Sequence, residues 1–93
     1  MKKYEVMYII RPNVEEEARK ALIEEVNAVF AAKASTVDSV KEWGMRDLAY
    51  EIQGETKGYY VLLNVEATPE AIKEFDRVAN IKETVIRHIV IAL

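Results

Sequence analysis

Lys41-Glu42-Trp43-Gly44-Met45-Arg46-Asp47-Leu48-Ala49-Tyr50-Glu51-Ile52 is the stretch around which the rest of this 93-residue chain can be organised. Apolar Leu48, Tyr50 and Ile52 alternate with Asp47, Ala49 and Glu51, the period-two pattern of a strand with one buried face. Gly44 stands between the bulky Trp43 and Met45, and a glycine inside a strand pattern marks a bulge or the close approach of another backbone. The stretch therefore predicts a bent strand from about Val37 to Ile52 that carries an exposed Arg46.

Upstream, Tyr4, Val6, Tyr8 and Ile10 alternate with Lys3, Glu5, Met7 and Ile9, and both sets turn apolar toward the end, as in a strand that becomes central. Arg11-Pro12-Asn13 ends it, because proline lacks the ladder donor and asparagine can cap a helix. Asn13 and Glu16 have capping-box spacing. Glu15, Glu16 and Glu17 suit the positive end of a helix dipole, which reads as a solvated helix start rather than a metal site. A helix over Val14–Ala32 would place Ala18, Leu22, Val26, Val29 and Phe30 on one side.

Downstream, Gln53–Gly58 is polar and holds two of the three glycines, which predicts a hairpin loop. A strand over Tyr59–Glu66 would send Tyr59, Val61, Leu63 and Val65 to the core. Thr68-Pro69-Glu70 combines a cap, a proline at the first helical position and a first-turn acid. Ala71, Ile72, Phe75, Val78 and Ala79 form that helix's apolar stripe, and Asn80 is its expected left-handed terminator. Thr84–Leu93 alternates as a last strand. Strand, helix, strand, strand, helix, strand is an α+β pattern, the ferredoxin-like βαββαβ fold: a four-stranded antiparallel sheet with two helices on one face. One domain spanning 1–93 is expected. Helices on one face leave the other bare, so function should be displayed on that open face or along a strand edge.

Composition narrows the function. With no cysteine and a single histidine, His88, neither a zinc site nor a nucleophile–base triad can be assembled, and His88 reads as a surface or edge residue. The glycines stand singly, so no phosphate-cradling loop exists, and acylphosphatase-like chemistry, which uses this fold, lacks its loop. An enzyme is not expected, nor a cofactor, a metal or a small-molecule substrate. The apolar runs are too short to cross a bilayer and Met1–Glu5 has no signal-peptide core, so a soluble, unexported protein is expected. The net charge of -3 gives no global attraction to nucleic acid, although residues 1–12 carry Lys2, Lys3 and Arg11 against Glu5. Any such contact must be local. Five tyrosines stand among the aromatics. Lys57-Gly58-Tyr59-Tyr60-Val61 begins like an RNA-recognition signature, but Leu62, Leu63 and Asn64 lack its later aromatic, so core or partner packing is the better reading of the tyrosines. Phosphate contact through Lys2, Lys3, Arg46 and Arg87 is more credible.

Several of these residues together resemble a known family. Met1-Lys2-Lys3-Tyr4-Glu5 with Pro12, Trp43-Gly44 with Arg46 and Leu48-Ala49-Tyr50-Glu51-Ile52, Gly58-Tyr59, Asn64-Val65, Glu74-Phe75-Asp76 and Val85-Ile86-Arg87-His88 are similar to the bacterial small-subunit ribosomal protein S6 family, over essentially the whole chain. The resemblance implies the same fold and a non-enzymatic, cytoplasmic role on the ribosome. It further implies binding to small-subunit ribosomal RNA at the central-domain platform, with ribosomal protein S18 as partner. Lys2 and Lys3 match the family's basic first strand, Arg46 one of its paired arginines, and Arg87 the arginine of the last strand; all would neutralise phosphates. Where the family has basic residues this chain has Met45 and Asp47, which predicts weaker RNA contact. The alternative is a protein-interaction scaffold of the same fold that has lost RNA binding.

Overall fold

Alternation at the start of the chain produces one of the two inner strands. In the computed structural model, which describes residues 2–93, β1 (Lys2–Ile10) is followed by α1 (Glu16–Ala32), β2 (Thr36–Ile52), β3 (Glu55–Ala67), α2 (Pro69–Ile81) and β4 (Val85–Ala92). The sheet order is β2-β3-β1-β4, and every pairing is antiparallel. This is the ferredoxin-like arrangement that the pattern predicted.

Both helices lie on one sheet face. Val6, Tyr8 and Ile10 of β1, Val61, Leu63, Val65 and Ala67 of β3, and Val85 of β4 are buried against Leu22, Ile23, Val26 and Phe30 of α1 and Ala71, Phe75 and Ala79 of α2. The expected stripes hold, with Ile23 added and Ala18 left exposed. α2 begins as expected, the Thr68 hydroxyl accepting the Ala71 N–H at 3.2 Å with Pro69 at the helix start. It continues through Asn80 to Ile81, and its cap, Lys82, is extended rather than left-handed. The capping box at Asn13 and Glu16 does not form, because α1 starts at Glu16 and its cap residue Glu15 makes no side-chain bond. First-turn acids against the dipole serve that end instead.

At the centre of the core the Tyr8 hydroxyl is buried with no hydrogen-bond partner. Burial, and secondarily the charge of Glu42, push its acidity constant above the ordinary 10.0. An unpartnered buried hydroxyl costs its desolvation, so Tyr8→Phe should raise stability by ~1 kcal/mol in urea melts. The folded-state value exceeds the unfolded one, so Tyr8's stabilising preference for the neutral phenol is full below about pH 10 and is lost as pH rises above it. The variant should accordingly show a shallower alkaline decline.

β2 and β3 depart furthest from expectation. The predicted six-residue loop is instead a tight turn in which Gln53 and Gly54 both have positive φ, 49° and 80°, with Ile52 paired to Glu55. Two central residues of positive φ are the hairpin turn that matches strand twist. Gly44 does mark a bulge, with φ 86° and a register shift between Glu42 and Gly44. A larger irregularity follows. Between the pairs Asp47↔Lys57 and Ile52↔Glu55, the whole segment Leu48–Glu51 faces only Thr56.

The surplus chain lets the hairpin end curl over the open sheet face. Its tip is clasped by Arg11, whose Nη2 donates to Gln53 Oε1 at 2.9 Å and whose Nε donates to the Glu83 carbonyl at 2.6 Å. Gln53 Nε2 in turn donates to the Ile86 carbonyl at 3.1 Å. Ile9 and Ile86 are thereby buried. A Cβ on Gly58 would overlap Ile9 Cγ2 and touch Leu48 Cδ2, so this glycine is required for close approach and not for a loop. Gly58→Ala should cost ~1–3 kcal/mol by overpacking. Measured in an Ile9→Ala background, the same change should cost markedly less, since the two positions share one space.

Candidate nucleic-acid interface on the open sheet face

Strand register fixes which side chains the bare face displays. Lys3, Glu5, Met7 and Ile9 of β1 stand beside Glu66, Asn64, Leu62 and Tyr60 of β3. On one side follow Ile91, Ile89 and Arg87 of β4, and on the other Ser39, Lys41, Gly44 and Arg46 of β2. Three of the four cations singled out from sequence, Lys3, Arg46 and Arg87, therefore share this face. Lys2 pairs with Ala67 and has the opposite parity, toward the helix side.

Trp43 follows Lys41 onto the same face, and the bulge at Gly44 brings Arg46 there beside it. Its ring is nearly parallel to that of Tyr60, with centroids 6.3 Å apart and 9° between the planes, and the Arg46 guanidinium carbon lies 5.3 Å from the Trp43 centroid. Stacked aromatic and cation–π contacts of this kind hold side chains upright on a sheet. Trp43 remains 42% exposed. Arg87 Nη1 donates to the Tyr50 hydroxyl at 2.7 Å, which joins the curled hairpin to β4. The expected exposed Arg46 is found, and Trp43, Tyr60, Lys41 and Tyr50 are added to it. The spacing could not reveal the aromatic pair, because two register shifts separate the hairpin turn from Trp43.

The charges on this face are not those of the whole chain. Among residues in register, Lys41 and Arg46 flank Trp43 on β2 and Arg87 stands at the same level on the opposite edge strand, while the carboxylates Glu5 and Glu66 lie at the other end with Lys3. Met45 and Asp47 pair with Tyr59 and Lys57 and so belong to the opposite side of β2. The missing positive charge at those two positions leaves the open face untouched.

The helix side is occupied by structural contacts. Tyr59 donates its hydroxyl to Glu42 Oε1 at 2.7 Å while Arg19 lies 4.0 Å over its ring, tying α1 to the sheet. The Glu42 bond, more than burial, raises the Tyr59 acidity constant, and Arg19 opposes the rise. His88 sits on the edge strand, as expected, but is turned inward. It packs edge-on against Phe75 at 5.5 Å and bonds Asp76 through Nε2. Glu74 and Arg77 pair on the exposed side of α2, which lowers the acidity constant of the former and raises that of the latter. Among the described residues there is no group of three or more His, Cys, Asp or Glu placed to hold a metal ion, and no helix is long and apolar enough to cross a membrane.

A family model described as Ribosomal protein S6 matches residues 3–92. The crystal structure of 30S ribosomal protein S6 from Thermotoga maritima superposes with a TM-score of 0.93 at 30% identity, covering 99% of this chain and 87% of that one. An amidase of the hydantoinase/carbamoylase family from Burkholderia phymatum is matched over 27% of its length and 99% of this chain, at 16% identity and a TM-score of 0.43, too low to bear on fold or activity. Family match, fold and near-complete mutual coverage coincide, and the chain belongs to the ribosomal protein S6 family.

Proposed function

We propose that this small-subunit ribosomal protein binds small-subunit ribosomal RNA through its open sheet face, at the central-domain platform, together with ribosomal protein S18. The carrying observation is the sidedness of charge. Lys3, Arg46 and Arg87 all lie on one uncovered face, Arg46 and Arg87 toward one end and Lys3 at the other, of a chain whose net charge is -3. Cations grouped on one face neutralise phosphates locally where the chain as a whole would repel them.

Each element of the reading has a physical role. Arginine and lysine contacts to phosphates position a protein without reading base identity. The apolar residues Met7, Leu62, Ile89 and Ile91, which lie across the middle of the same face, offer a surface for the partner protein. Lys2, on the other side of β1, contributes at the rim. The protein is a structural component of the ribosome in the cytoplasm, with no catalytic step. Affinity for RNA alone is low and rises with the partner present, because net repulsion opposes a small patch.

Sedimentation tests this reading. Small subunits reconstituted without their own S6 should take up the chain stoichiometrically when S18 is present. Failure to co-sediment in the presence of S18 contradicts it.

A further inference from the structure

Among the open-face residues, Trp43 differs from the rest in being a large, flat, half-exposed ring flanked by a second ring and a guanidinium. An aromatic pair on a bare sheet next to cations is the arrangement on which unpaired bases stack, while the cations track the connecting phosphates. We propose that Trp43, flanked by Tyr60 and Arg46, stacks an unpaired nucleotide of RNA, with Lys41 on an adjoining phosphate and Arg87, across the sheet on β4, on a phosphate further along the strand; this rests on the RNA-binding reading above.

Charge selects the occupant. The ionic neighbours of Trp43 on this face are Lys41 and Arg46 of its own strand, with Arg87 at the same level on the opposite edge strand, while Glu42 and Asp47 lie on the other side of β2. A peptide segment would meet a cluster of cations here, whereas a nucleotide brings one phosphate for each base. Duplex RNA keeps its bases stacked internally and could engage only the cations.

Stacking also accounts for the backbone. Strict alternation from Lys41 would send Trp43 to the open side but Gly44 and Arg46 to the other. The bulge at Gly44, with φ 86°, gives two consecutive residues to one partner, Tyr60, and so brings Trp43 and Arg46 onto one face. Left-handed φ is costly for residues other than glycine.

Trp43 is the sole tryptophan, so its fluorescence reports the site directly. The full-length chain should be titrated at low salt with a single-stranded oligoribonucleotide of ~8 nucleotides, a length within the range of one binding domain, and with a duplex of equal length. Saturable quenching by the single strand, and none at matched occupancy of the duplex, is expected. Tyr60→Ala and Trp43→Leu, checked for folding by circular dichroism, should each weaken single-strand binding by ~10-fold in anisotropy of a labelled strand. Single-strand binding that leaves Trp43 emission unchanged overturns the stacking but leaves phosphate binding intact. Shielding of Trp43 by S18 alone overturns it too, by giving the face to protein. If neither RNA binds at low salt and the ribosomal RNA is not bound with S18 present, the function proposed above falls with it.

Discussion

Phe75→Ala should remove ~3–5 kcal/mol of folding stability, the cost of truncating a fully enclosed aromatic. Phe75 is 1% exposed and packs against three other rings. Tyr8 of β1 lies 6.2 Å away, Phe30 of α1 5.7 Å away at an interplanar angle of 25°, and His88 of β4 5.5 Å away, edge-on. Truncation would release α2 from α1 and from two strands at once. A domain of this size has ~5–15 kcal/mol in total, so the loss should lower the melting temperature by ~15–30 °C. Ile81→Ala on the same helix is the contrast, because Ile81 is 63% exposed and should change stability by less than about 0.5 kcal/mol. Urea denaturation of both variants checks the pair, and a loss below about 1 kcal/mol for Phe75→Ala would place the core elsewhere.

Combined reversal of the open-face cations, Lys3→Glu with Arg46→Glu and Arg87→Glu, should reduce affinity for the ribosomal RNA, measured with S18 present, by at least ~100-fold. Each phosphate left without its cation also flattens the dependence of log affinity on log salt by nearly one unit, so the slope should fall by ~2–3. Folding should survive, since all three side chains are exposed and, among the described residues, the hydrogen bond broken is that from Arg87 to Tyr50. An exposed side-chain hydrogen bond of this sort contributes about 0.5–1.5 kcal/mol. Lys2→Glu carries the same charge change one residue away but on the other side of β1, and should reduce affinity far less. Equal losses from Lys2→Glu and Lys3→Glu would mean that net charge, not the face, governs binding.

What could be read in advance follows from how local each signal is. Alternation in Tyr4–Ile10 and Tyr59–Val65 and the Thr68-Pro69-Glu70 cap are written in neighbouring residues, and the element order, the helix-covered face and most of the core followed from them. The curled hairpin did not. Leu48, Tyr50 and Ile52 alternate as a flat strand would, yet Leu48–Glu51 leaves the ladder because Arg11 and the Ile86 carbonyl, distant in sequence, bind Gln53. His88 differs from expectation for a related reason. Its neighbours Arg87 and Ile89 are exposed, while Phe75 and Asp76 from α2 draw the ring inward. The cations were recognisable by residue type, but their grouping depended on register, which separated Lys2 from Lys3 and Met45 from Arg46. The Trp43–Tyr60 pair was invisible for the same reason, since bulges shift which residues meet.

Hydroxyl-radical footprinting of the chain in free form and assembled into the small subunit tests the central claim, that the open sheet face is the one engaged. Trp43, Tyr60 and Met7 on that face should lose reactivity on assembly, while Ile81 at the end of α2 keeps it. Protection of Ile81 with Trp43 and Met7 still reactive would contradict the account.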